Sequence, residues 1–327
     1  MRVLITGAGG FIGSHLVADQ LKRGRKVTAV DLHVESLASL AADPRLCVVT
    51  GDFADDALLD PLLPRHDVCF HLASAHLETG VDETYFWQVN VQGTRKFVER
   101  CHQAGIGRFV HCSSVGVFGD IKNPPADEES ECHPDIAYEK SKLAGETAVL
   151  EYARETDYPV AVIRPAWVYG PNCRRTLKLF KSIKKGRFFF VGNGRTLRHP
   201  IYVDDMVEGF EIAATHPQAP GDVFIMAGPQ AVTLLELAEE IAQTVGVASP
   251  RLKMPETLVW PACYLLEVGF GLLGRPAPFT RRSLKFFTGN TAFSTKRAEE
   301  KLGFRPKVEL QEGLRRTNTW IRDGHRI

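Results

Sequence analysis

The sequence lacks several features that would each assign the protein to a specialised class. Its seven cysteines are odd in number, scattered and without a C-x-x-C pair, so we expect reduced thiols and a cytoplasmic location rather than a disulfide framework. No apolar run reaches the ~18 uninterrupted residues of a membrane span. The formal net charge is only +1, which gives no general reason to expect nucleic acid or an anionic membrane as a partner.

Histidine pairs with metal-ligand spacing are also missing, and we therefore predict no metal site. His71 and His111, at the ends of predicted strands, are expected to be hydrogen-bonded core side chains. The first predicted strand begins at Arg2, which leaves no room for the basic start and apolar middle of a signal peptide. The composition is that of an ordinary globular protein, with 327 residues, 44% hydrophobic and 24% charged, long enough for one large or two interlocked domains.

Short apolar runs alternate with helical stretches through the first half of the chain. The runs have the length of β-strands and cover residues 3–5, 27–30, 46–49, 68–71, 109–111 and 160–163, and helices are predicted over 12–23, 55–62, 82–103 and 136–155. This alternation is typical of βαβ units. We predict an α/β fold with a doubly wound, Rossmann-like parallel sheet that binds its ligand at the carboxyl ends of the strands.

A glycine-rich turn, Thr6-Gly-Ala-Gly-Gly-Phe-Ile-Gly13, joins the first predicted strand to the first helix. Its spacing is G-x-x-G-x-x-G rather than G-x-G-x-x-G. Such a turn presents free N–H groups and the positive end of a helix dipole, which suit a pyrophosphate, although glycine also serves any tight connection that needs a positive φ. The dinucleotide-binding candidates here are Gly7, Gly10, Phe11, Ile12 and Gly13.

Asp31 ends the second apolar run, about 20 residues beyond the turn, where an acid can bind the adenosine ribose. Its carboxylate would repel the 2′-phosphate of NADP. We therefore predict NAD as the cofactor and NADP as the weaker ligand. Arg25 and His33 supply positive charge nearby and limit this preference.

Beyond residue 163 the chain becomes richer in proline and glycine, as in Arg164-Pro165, Gly170-Pro171 and Gly192-Asn-Gly194. We predict an NAD-binding domain over residues 1–170 and a smaller, interwoven substrate-binding domain over 171–327. Two further strand candidates, 201–203 and 223–226, are expected to rejoin the main sheet of the first domain.

Tyr138 and Lys142 lie four residues apart near the start of the helix predicted over 136–155, so their side chains share one face. A tyrosine in water has a pKa near ~10, and an adjacent ammonium favours its phenolate form. The pair is thus a candidate acid/base for a hydroxyl or carbonyl, although Y-x-x-x-K also occurs by chance. Ser113 and Ser114 end the preceding strand and place a hydroxyl at the same edge.

Nearly the whole chain resembles the extended short-chain dehydrogenase/reductases, also called the NAD-dependent epimerase/dehydratase superfamily. The resemblance rests on the glycine turn, Asp31 and motifs spread along the chain: Gly51-Asp52, His71-Leu-Ala73, Val89-Asn90-Val-Gln-Gly93-Thr94, Ser113-Ser114 before Val117-Phe118-Gly119, Tyr138 with Lys142, Arg164-Pro165 before Val168-Tyr169-Gly170-Pro171, and Tyr202-Val203-Asp204-Asp205. Together these motifs are specific to the superfamily.

The resemblance implies a role for each matched residue. Counting back from Gly119, Ser114 rather than Ser113 takes the place of the catalytic serine or threonine. Tyr138 would exchange the proton, and Lys142 would bind the nicotinamide ribose. The other implied roles are contact with adenine for Asp52 and Phe53, with the pyrophosphate and ribose for Leu72 and Ala73, support of the active-site helix for Asn90, and contact with the nicotinamide for Pro165 and Val168. The two long helices are implied to pair across a homodimer.

The substrate has to be inferred separately. Family members that act on nucleotide-sugars usually carry Asn three residues after the Arg of the Arg164 motif, where this chain has Trp167, a good wall for an apolar ring system. Residues 164–171 and 258–289 look like the hydroxysteroid and sterol-carboxylate dehydrogenase branch, with related bacterial ketoacyl-lipid reductases. Against this, Arg198 resembles a phosphate-binding Arg of nucleotide-sugar enzymes, the alternative being a structural Arg paired with an acid.

Residues 258–274 are the most apolar stretch of the chain, although Pro261 and Glu267 make them a poor membrane span. Two interpretations are open: a helix that covers the substrate pocket, or an interfacial helix in peripheral contact with a membrane.

The leading hypothesis is an NAD-dependent oxidoreductase that interconverts a secondary alcohol and a ketone on a bulky hydrophobic substrate, such as a 3β-hydroxysteroid, sterol acid or β-keto acid. The alternative is a nucleotide-sugar 4-epimerase or dehydratase that keeps NAD bound and returns the hydride within one turnover. A non-catalytic dinucleotide-sensing protein is a third hypothesis, which the set of Ser114, Tyr138 and Lys142 disfavours.

Overall fold

The computed structural model describes residues 1–76, 82–273, 275 and 281–324. The strands in these ranges are β1 (Arg2–Thr6), β2 (Lys26–Asp31), β3 (Leu46–Thr50), β4 (Val68–His71), β5 (Arg108–Cys112), β6 (Val160–Pro165), β7 (Trp167–Tyr169), β8 (Phe190–Val191), β9 (Leu197–Arg198), β10 (Pro200–Tyr202), β11 (Val223–Met226), β12 (Val232–Thr233) and β13 (Lys253–Met254). The α-helices are α1 (Phe11–Lys22), α2 (Asp56–Leu59), α3 (Glu83–Trp87), α4 (Thr94–Gln103), α5 (Ala137–Thr156), α6 (Arg174–Lys184), α7 (Val203–Thr215), α8 (Leu234–Val245), α9 (Glu256–Leu272), α10 (Arg281–Thr288), α11 (Lys296–Leu302) and α12 (Leu310–Asp323). Between them lie 3-10 turns at Glu35–Leu40, Leu63–Arg65 and Val115–Phe118 and a π turn at Gln88–Gly93.

Seven parallel strands form the main sheet, in the order β11-β6-β5-β4-β1-β2-β3. The chain runs outward from β1 to β3, returns to β4 beside β1, and continues outward on the other side. This confirms the predicted Rossmann-like α/β fold. Alternate residues of β1 pack to opposite faces, with Val3 and Ile5 in one apolar core and Leu4 in the other. Doubly wound sheets bind ligands at the carboxyl ends of the strands where the direction of winding changes, which here is between β1 and β4.

The helix predicted over 82–103 is interrupted. α3 leads into the π turn Gln88–Gly93 before α4 begins. In this wider turn the Thr94 hydroxyl donates to the carbonyl of Val89, 3.3 Å away, and the Asn90 side chain is buried. The sequence predicts a helix here but not its widening, because the π turn depends on the contacts that Asn90 and Thr94 make with other elements.

The two later strand candidates lie in different sheets. β11 forms the edge of the main sheet beside β6, whereas β10 pairs with β7 in a separate two-stranded sheet. The expectation that residues 201–203 rejoin the main sheet is therefore wrong. The last bond between the ends of β6 and β11 is donated by the Ala166 N–H to the carbonyl of Met226, 2.9 Å away. Beyond it the chain leaves the main sheet as β7, and β10 pairs with β7 there. The domain boundary at residue 170 stays a prediction.

The C-terminal part is built from small strand pairs and helices. β8 pairs with β13 and β9 with β12, and α6 and α12 pack against α8. α9 contacts α10, which in turn contacts β8. No helix among the described residues is both long and apolar enough to cross a membrane.

Two buried histidines lie side by side on β4 and β5, with ring centroids 5.6 Å apart. His71 is hydrogen-bonded to the hydroxyls of Thr6, at 2.7 Å, and Thr94, at 3.1 Å. Neither ring nitrogen of His111 has a partner among the described residues, so the expectation of a hydrogen-bonded side chain is wrong for His111. Burial and the nearby Lys142 lower the pKa of both imidazoles below the ordinary 6.5, for His71 to about 3.

We expect the protein to lose stability as the pH falls from 7 to 5, because below pH ~6.5 the unfolded chain binds protons on imidazoles that stay neutral in the folded state. Replacing His111 with Leu removes one such imidazole and its unpaired nitrogens. This variant should be at least as stable as the wild type at pH 7. As the pH is lowered, its free energy of unfolding should decrease less steeply than that of the wild type, with a difference in slope of about 1.4 kcal/mol per pH unit.

Denaturant unfolding at pH 5, 6 and 7 measures the effect. His111→Asn keeps an unpaired polar group in a smaller side chain and should be destabilised at every pH. A leucine variant with a steeper pH dependence than the wild type would contradict this account.

Candidate active site

The glycine turn brings backbone segments into close contact. Gly7 has a φ of +70°, and a Cβ on it would lie 2.5 Å from backbone atoms of Leu72 and Ala73. A Cβ on Gly13 would lie 2.1 Å from the carbonyl oxygen of Gly7. α1 begins after Gly10, which has no side chain to cap it, so the N–H groups of its first turn stay open to a ligand. This cradle fits the pyrophosphate of a dinucleotide, because its open N–H groups can donate to phosphate oxygens and only glycine lets the backbone segments pack this closely around them.

Asp31 fixes the same turn from the end of β2. Its carboxylate accepts hydrogen bonds from the N–H groups of Gly9, at 2.9 Å, and His33, at 3.0 Å. Arg25 lies at the opposite end of β2 and pairs with the buried carboxylate of Glu211. Of the two positive charges that limited the preference for NAD, the structure therefore leaves only His33 near Asp31.

The other residues predicted to bind the cofactor near the glycine turn differ in how deeply they are buried. Phe11 and Ile12 open α1 and pack, half-buried, against the main core. Asp52 is exposed beyond β3. Phe53 is buried with its ring centroid 4.8 Å from that of His71, so only its backbone can face an adenine.

Asn90 joins the loop after β4 to the helix α5. This loop carries Leu72 and Ala73, both half-buried. The Asn90 oxygen accepts from the N–H of Ala75 at 2.8 Å, and its amide donates to the carbonyl of Ala75 at 3.2 Å and to the Ser141 hydroxyl at 3.0 Å. Asn90 therefore links the loop to α5, and its role in supporting an active-site helix stays a prediction.

The helix α5 carries Tyr138 and Lys142 one turn apart at its start. Lys142 is buried, and its Nζ donates to the carbonyl oxygen of Cys112, at the end of β5, over 2.6 Å. Ser114 follows two residues later, and its hydroxyl oxygen accepts from the N–H of Gly116 at 3.0 Å. The structure therefore brings the helix positions of Tyr138 and Lys142 and the strand end with Ser114 to one edge of the sheet.

A buried ion pair ties α5 to β6. Glu146, four residues beyond Lys142, accepts two hydrogen bonds from Arg164, at 3.0 and 2.5 Å. The Arg164 guanidinium also lies 4.9 Å from the centre of the Phe118 ring. Burial lowers the pKa of the Lys142 ammonium, and the charge of Glu146 partly offsets this. The sequence motifs single out Arg164 but not its partner Glu146. The sequence signal for Glu146 is its spacing of four residues from Lys142, which places the two side chains on the same face of the helix.

Two aromatic rings lie edge-on to Tyr138. The ring of His76 is 5.5 Å away between centroids, and that of Phe86 is 6.2 Å away. Neither has a sequence signal, since both reach Tyr138 from elements distant in the chain. Ser113 is buried with its hydroxyl unpaired among the described residues, whereas Ser114 is half-buried, which agrees with Ser114 as the serine open to a substrate.

Trp167 stands at the start of β7, beyond the buried Pro165 and beside the buried Val168. Its ring is half-buried and lies edge-on to Phe286 of α10, with 6.2 Å between centroids. The indole N–H is buried and has no partner in the part of the chain that the structure describes.

Arg198 is buried, and backbone carbonyls surround its guanidinium. It donates to the carbonyls of Phe286 and of Gly289, the latter at 2.6 Å, and so binds the C-terminal end of α10. Burial lowers its pKa to about 10. The expected acid partner is replaced by these carbonyls, and their contacts weigh against a role for Arg198 in binding a substrate phosphate.

The site thus combines a dinucleotide cradle with an edge that carries Ser114, Tyr138 and Lys142. In the described ranges, no group of three or more His, Cys, Asp or Glu could hold a metal ion. Residues 3–227 match the NAD dependent epimerase/dehydratase family. The chain belongs to this family. It is therefore an NAD-dependent enzyme of the extended short-chain dehydrogenase/reductase type, as the resemblance implies.

The enzyme is similar over nearly its full length to proteins with different substrates. A dTDP-glucose 4,6-dehydratase of Streptomyces niveus is 30% identical over 99% of this chain and 93% of its own. The decarboxylating sterol-4-alpha-carboxylate 3-dehydrogenase of Mus musculus is 27% identical over 96% of this chain and 89% of its own. The crystal structure of a DesIV double mutant, a dTDP-glucose 4,6-dehydratase from Streptomyces venezuelae with NAD and DAU bound, has a TM-score of 0.80 at 27% identity and covers 99% of this chain and 98% of that one.

Replacing Asp31 with Ser should weaken NAD binding roughly tenfold or more, because the change removes the carboxylate expected at the ribose and the acceptor of the Gly9 N–H. NADP binding should fall less or improve, since the charge that repels the 2′-phosphate is gone. Calorimetric titration with both cofactors gives the ratio of the two affinities. Asp43→Ser removes an acid that pairs with Arg45 outside the cradle and should change neither affinity. An unchanged ratio in the Asp31 variant would refute its role in cofactor choice.

Proposed function

We propose that this enzyme is an NAD-dependent oxidoreductase that interconverts a secondary alcohol and a ketone on a bulky hydrophobic substrate, of the 3β-hydroxysteroid, sterol acid or β-keto acid type. The observation that carries the reaction is the bond from Lys142 Nζ to the carbonyl of Cys112, 2.6 Å long. It supports a joint role for Ser114, Tyr138 and Lys142 at the carboxyl end of β5.

NAD, when bound, supplies the hydride acceptor for the alcohol and, in its reduced form, the hydride donor for the ketone. In this proposal the glycine turn binds the pyrophosphate and Asp31 binds the adenosine ribose. The full set of proposed cofactor-binding residues is Gly7, Gly10, Phe11, Ile12, Gly13, Asp31, Asp52, Phe53, Leu72, Ala73, Asn90, Tyr138, Lys142, Pro165 and Val168.

The proton is handled by the side chains of the sheet edge. Tyr138 takes the hydroxyl proton of the alcohol or returns it to the ketone oxygen. Ser114 already accepts from the N–H of Gly116, so its own O–H can donate to the same substrate oxygen. The positive charge of Lys142 favours the phenolate form of Tyr138, which a proton acceptor requires.

Two side chains support an apolar substrate. Trp167 stands where family members that act on nucleotide-sugars usually carry Asn, and its indole packs edge-on against Phe286. Arg198, the candidate for a phosphate, is bound to carbonyls of α10. The aromatic side chains offer an apolar surface, and the Arg198 guanidinium is already hydrogen-bonded to backbone carbonyls. This combination favours a ring system or an acyl chain over a diphosphate as the bound group.

The second candidate function is a nucleotide-sugar 4-epimerase or dehydratase. The 30% identity to a dTDP-glucose 4,6-dehydratase over 99% of this chain favours it. The proton transfer at Tyr138 would begin this reaction as well, but the hydride would return to the substrate within one turnover. Such an enzyme needs no added NAD and releases no NADH, so net formation of NADH separates the two functions.

The cytoplasmic homodimer remains a prediction. The resemblance implies that α5 and the helix region from α3 to α4 pair between two copies. Tyr85 and Trp87 of α3 are exposed there, and large exposed aromatic side chains of this kind favour an interface.

Replacing Tyr138 with Phe should lower kcat by about 10²- to 10⁴-fold, because the group that accepts the proton is lost. NAD should bind as in the wild type, since the glycine turn and Asp31 are untouched. Steady-state kinetics and NAD titration measure the two effects. Tyr85→Phe removes the same hydroxyl from an exposed position of α3 and should retain full turnover. Undiminished turnover in the Tyr138 variant would exclude the mechanism.

A thermal-shift screen with NAD present separates the substrate classes. Sterols or β-keto acids should raise the melting temperature, because a ligand that binds only the folded state stabilises it. UDP-, GDP- and dTDP-sugars should not. Trp167→Asn should reduce the shift produced by the apolar ligands, because their aromatic wall is removed. If nucleotide-sugars alone stabilise the wild type, the order of the two candidate functions is reversed.

A further inference from the structure

The helix α9 is largely apolar, yet only a narrow stripe of it packs on the protein. Val259 and Cys263 are its buried residues. In contrast, Leu258, Leu265 and Leu272 are 63%, 69% and 84% exposed. A surface helix normally turns its apolar residues to the core, and a contiguous exposed apolar patch marks an interaction surface.

The surface beside the start of α9 is strongly basic. Residues 174–187, which contain α6, hold seven Lys or Arg and no Asp or Glu. Residues 246–253 add Arg251 and Lys253, again without an acid. Arg187 of the first segment and Arg251 of the second line one surface pocket together with the exposed Leu252. The chain as a whole has a net charge of only +1, so this is a local concentration of positive charge next to α9, which the exposed Glu256 in the first turn of that helix offsets by one unit.

We propose that α9 and this basic surface bind an anionic lipid bilayer, with α9 lying in the membrane interface. Charge complementarity identifies the occupant, because anionic headgroups neutralise the cations while the interface accepts the leucines. A two-fold dimer through this face would cover the leucines as well, but it would bring the same surplus of cations from both copies to one interface. Trp260 and Tyr264, both exposed, are residue types that prefer the membrane interface.

The same surface is connected to the active site. α9 contacts α10, and α10 holds Phe286 against Trp167. An apolar substrate dissolved in the bilayer would therefore meet the protein one helix away from the proposed aromatic wall. This connection rests on the proposed function, whereas the binding of the bilayer itself does not.

Co-sedimentation of the full chain with lipid vesicles tests the proposal. The protein should bind vesicles that contain phosphatidylglycerol clearly more tightly than vesicles of phosphatidylcholine alone. Raising the NaCl concentration to 0.5 M should weaken the binding, since salt screens the contribution of the cations. Equal binding to both vesicle types, or no binding to either, would overturn the proposal.

Two sets of variants separate the apolar and the charged contributions. The double variant Leu265→Asp with Leu272→Asp should lose vesicle binding, because it places carboxylates on the exposed apolar face. Arg251→Gln with Lys253→Gln should weaken binding to the anionic vesicles about 25-fold, since each cation near such a surface contributes roughly fivefold.

Arg305→Glu is the matched control, because it changes the net charge by the same two units as the leucine pair, at an exposed position after α11. It should bind vesicles like the wild type. NAD binding and melting temperature should match the wild type in every variant, which shows that each is folded. Binding by the leucine pair as tight as that of the wild type would overturn the proposal.

Light scattering, which measures the oligomeric state, tests whether a second copy of the chain binds this face instead of a membrane. A dimer that dissociates in the leucine pair, in a protein that binds no vesicles, would assign α9 to a second copy and overturn the proposal. The vesicle experiment contains no substrate, so its failure leaves the kinetics of the Tyr138 variant unaffected. The proposed reaction and the proposed membrane surface can therefore fail separately.

Discussion

The buried ion pair between Glu146 and Arg164 is the interaction on which the geometry of the candidate active site depends. Glu146 is 2% exposed and Arg164 5% exposed, and two hydrogen bonds join them. Removing one partner of such a pair typically costs about 3–5 kcal/mol, because the other charge is left buried and unpaired. The pair fixes the rotation of α5 against β6. Lys142, one turn earlier, then reaches the end of β5, and Tyr138, two turns earlier, reaches the same edge.

A neighbouring face of α5 is fixed by close backbone contact rather than by charge. A Cβ on Gly145 would lie 2.0 Å from the carbonyl oxygen of Asn90, so only glycine allows α5 to approach the π turn this closely. One turn earlier, the amide of Asn90 donates to the Ser141 hydroxyl while its oxygen binds the loop after β4. The helix that carries Tyr138 and Lys142 and the loop that carries Leu72 and Ala73 are thus held in place by the protein's own contacts.

The sequence predicts the parts of this arrangement that depend on local properties. Strands of the main sheet appear as apolar runs, and the cradle appears as glycines at positions such as Gly13, where a Cβ would collide with the turn. The π turn, the partners of Arg198 and the unpaired ring of His111 could not be predicted, since each depends on residues far away in the chain. A motif identifies a side chain such as Arg198, but a carbonyl 91 positions later decides what it binds.

The two halves of the active site therefore differ in how freely they can change. In the proposed cofactor half, backbone segments touch at Gly7 and Gly13, and any side chain there would collide with the backbone itself. The proposed substrate half is a wall of side chains, in which Trp167 packs on Phe286 and Arg198 binds the end of α10. Substitutions in such a wall leave the cradle intact. Because of this separation, one fold can serve relatives as different as a dTDP-glucose dehydratase and a sterol-carboxylate dehydrogenase, and in the function proposed for this enzyme α10 and Trp167 are the elements that decide between substrates.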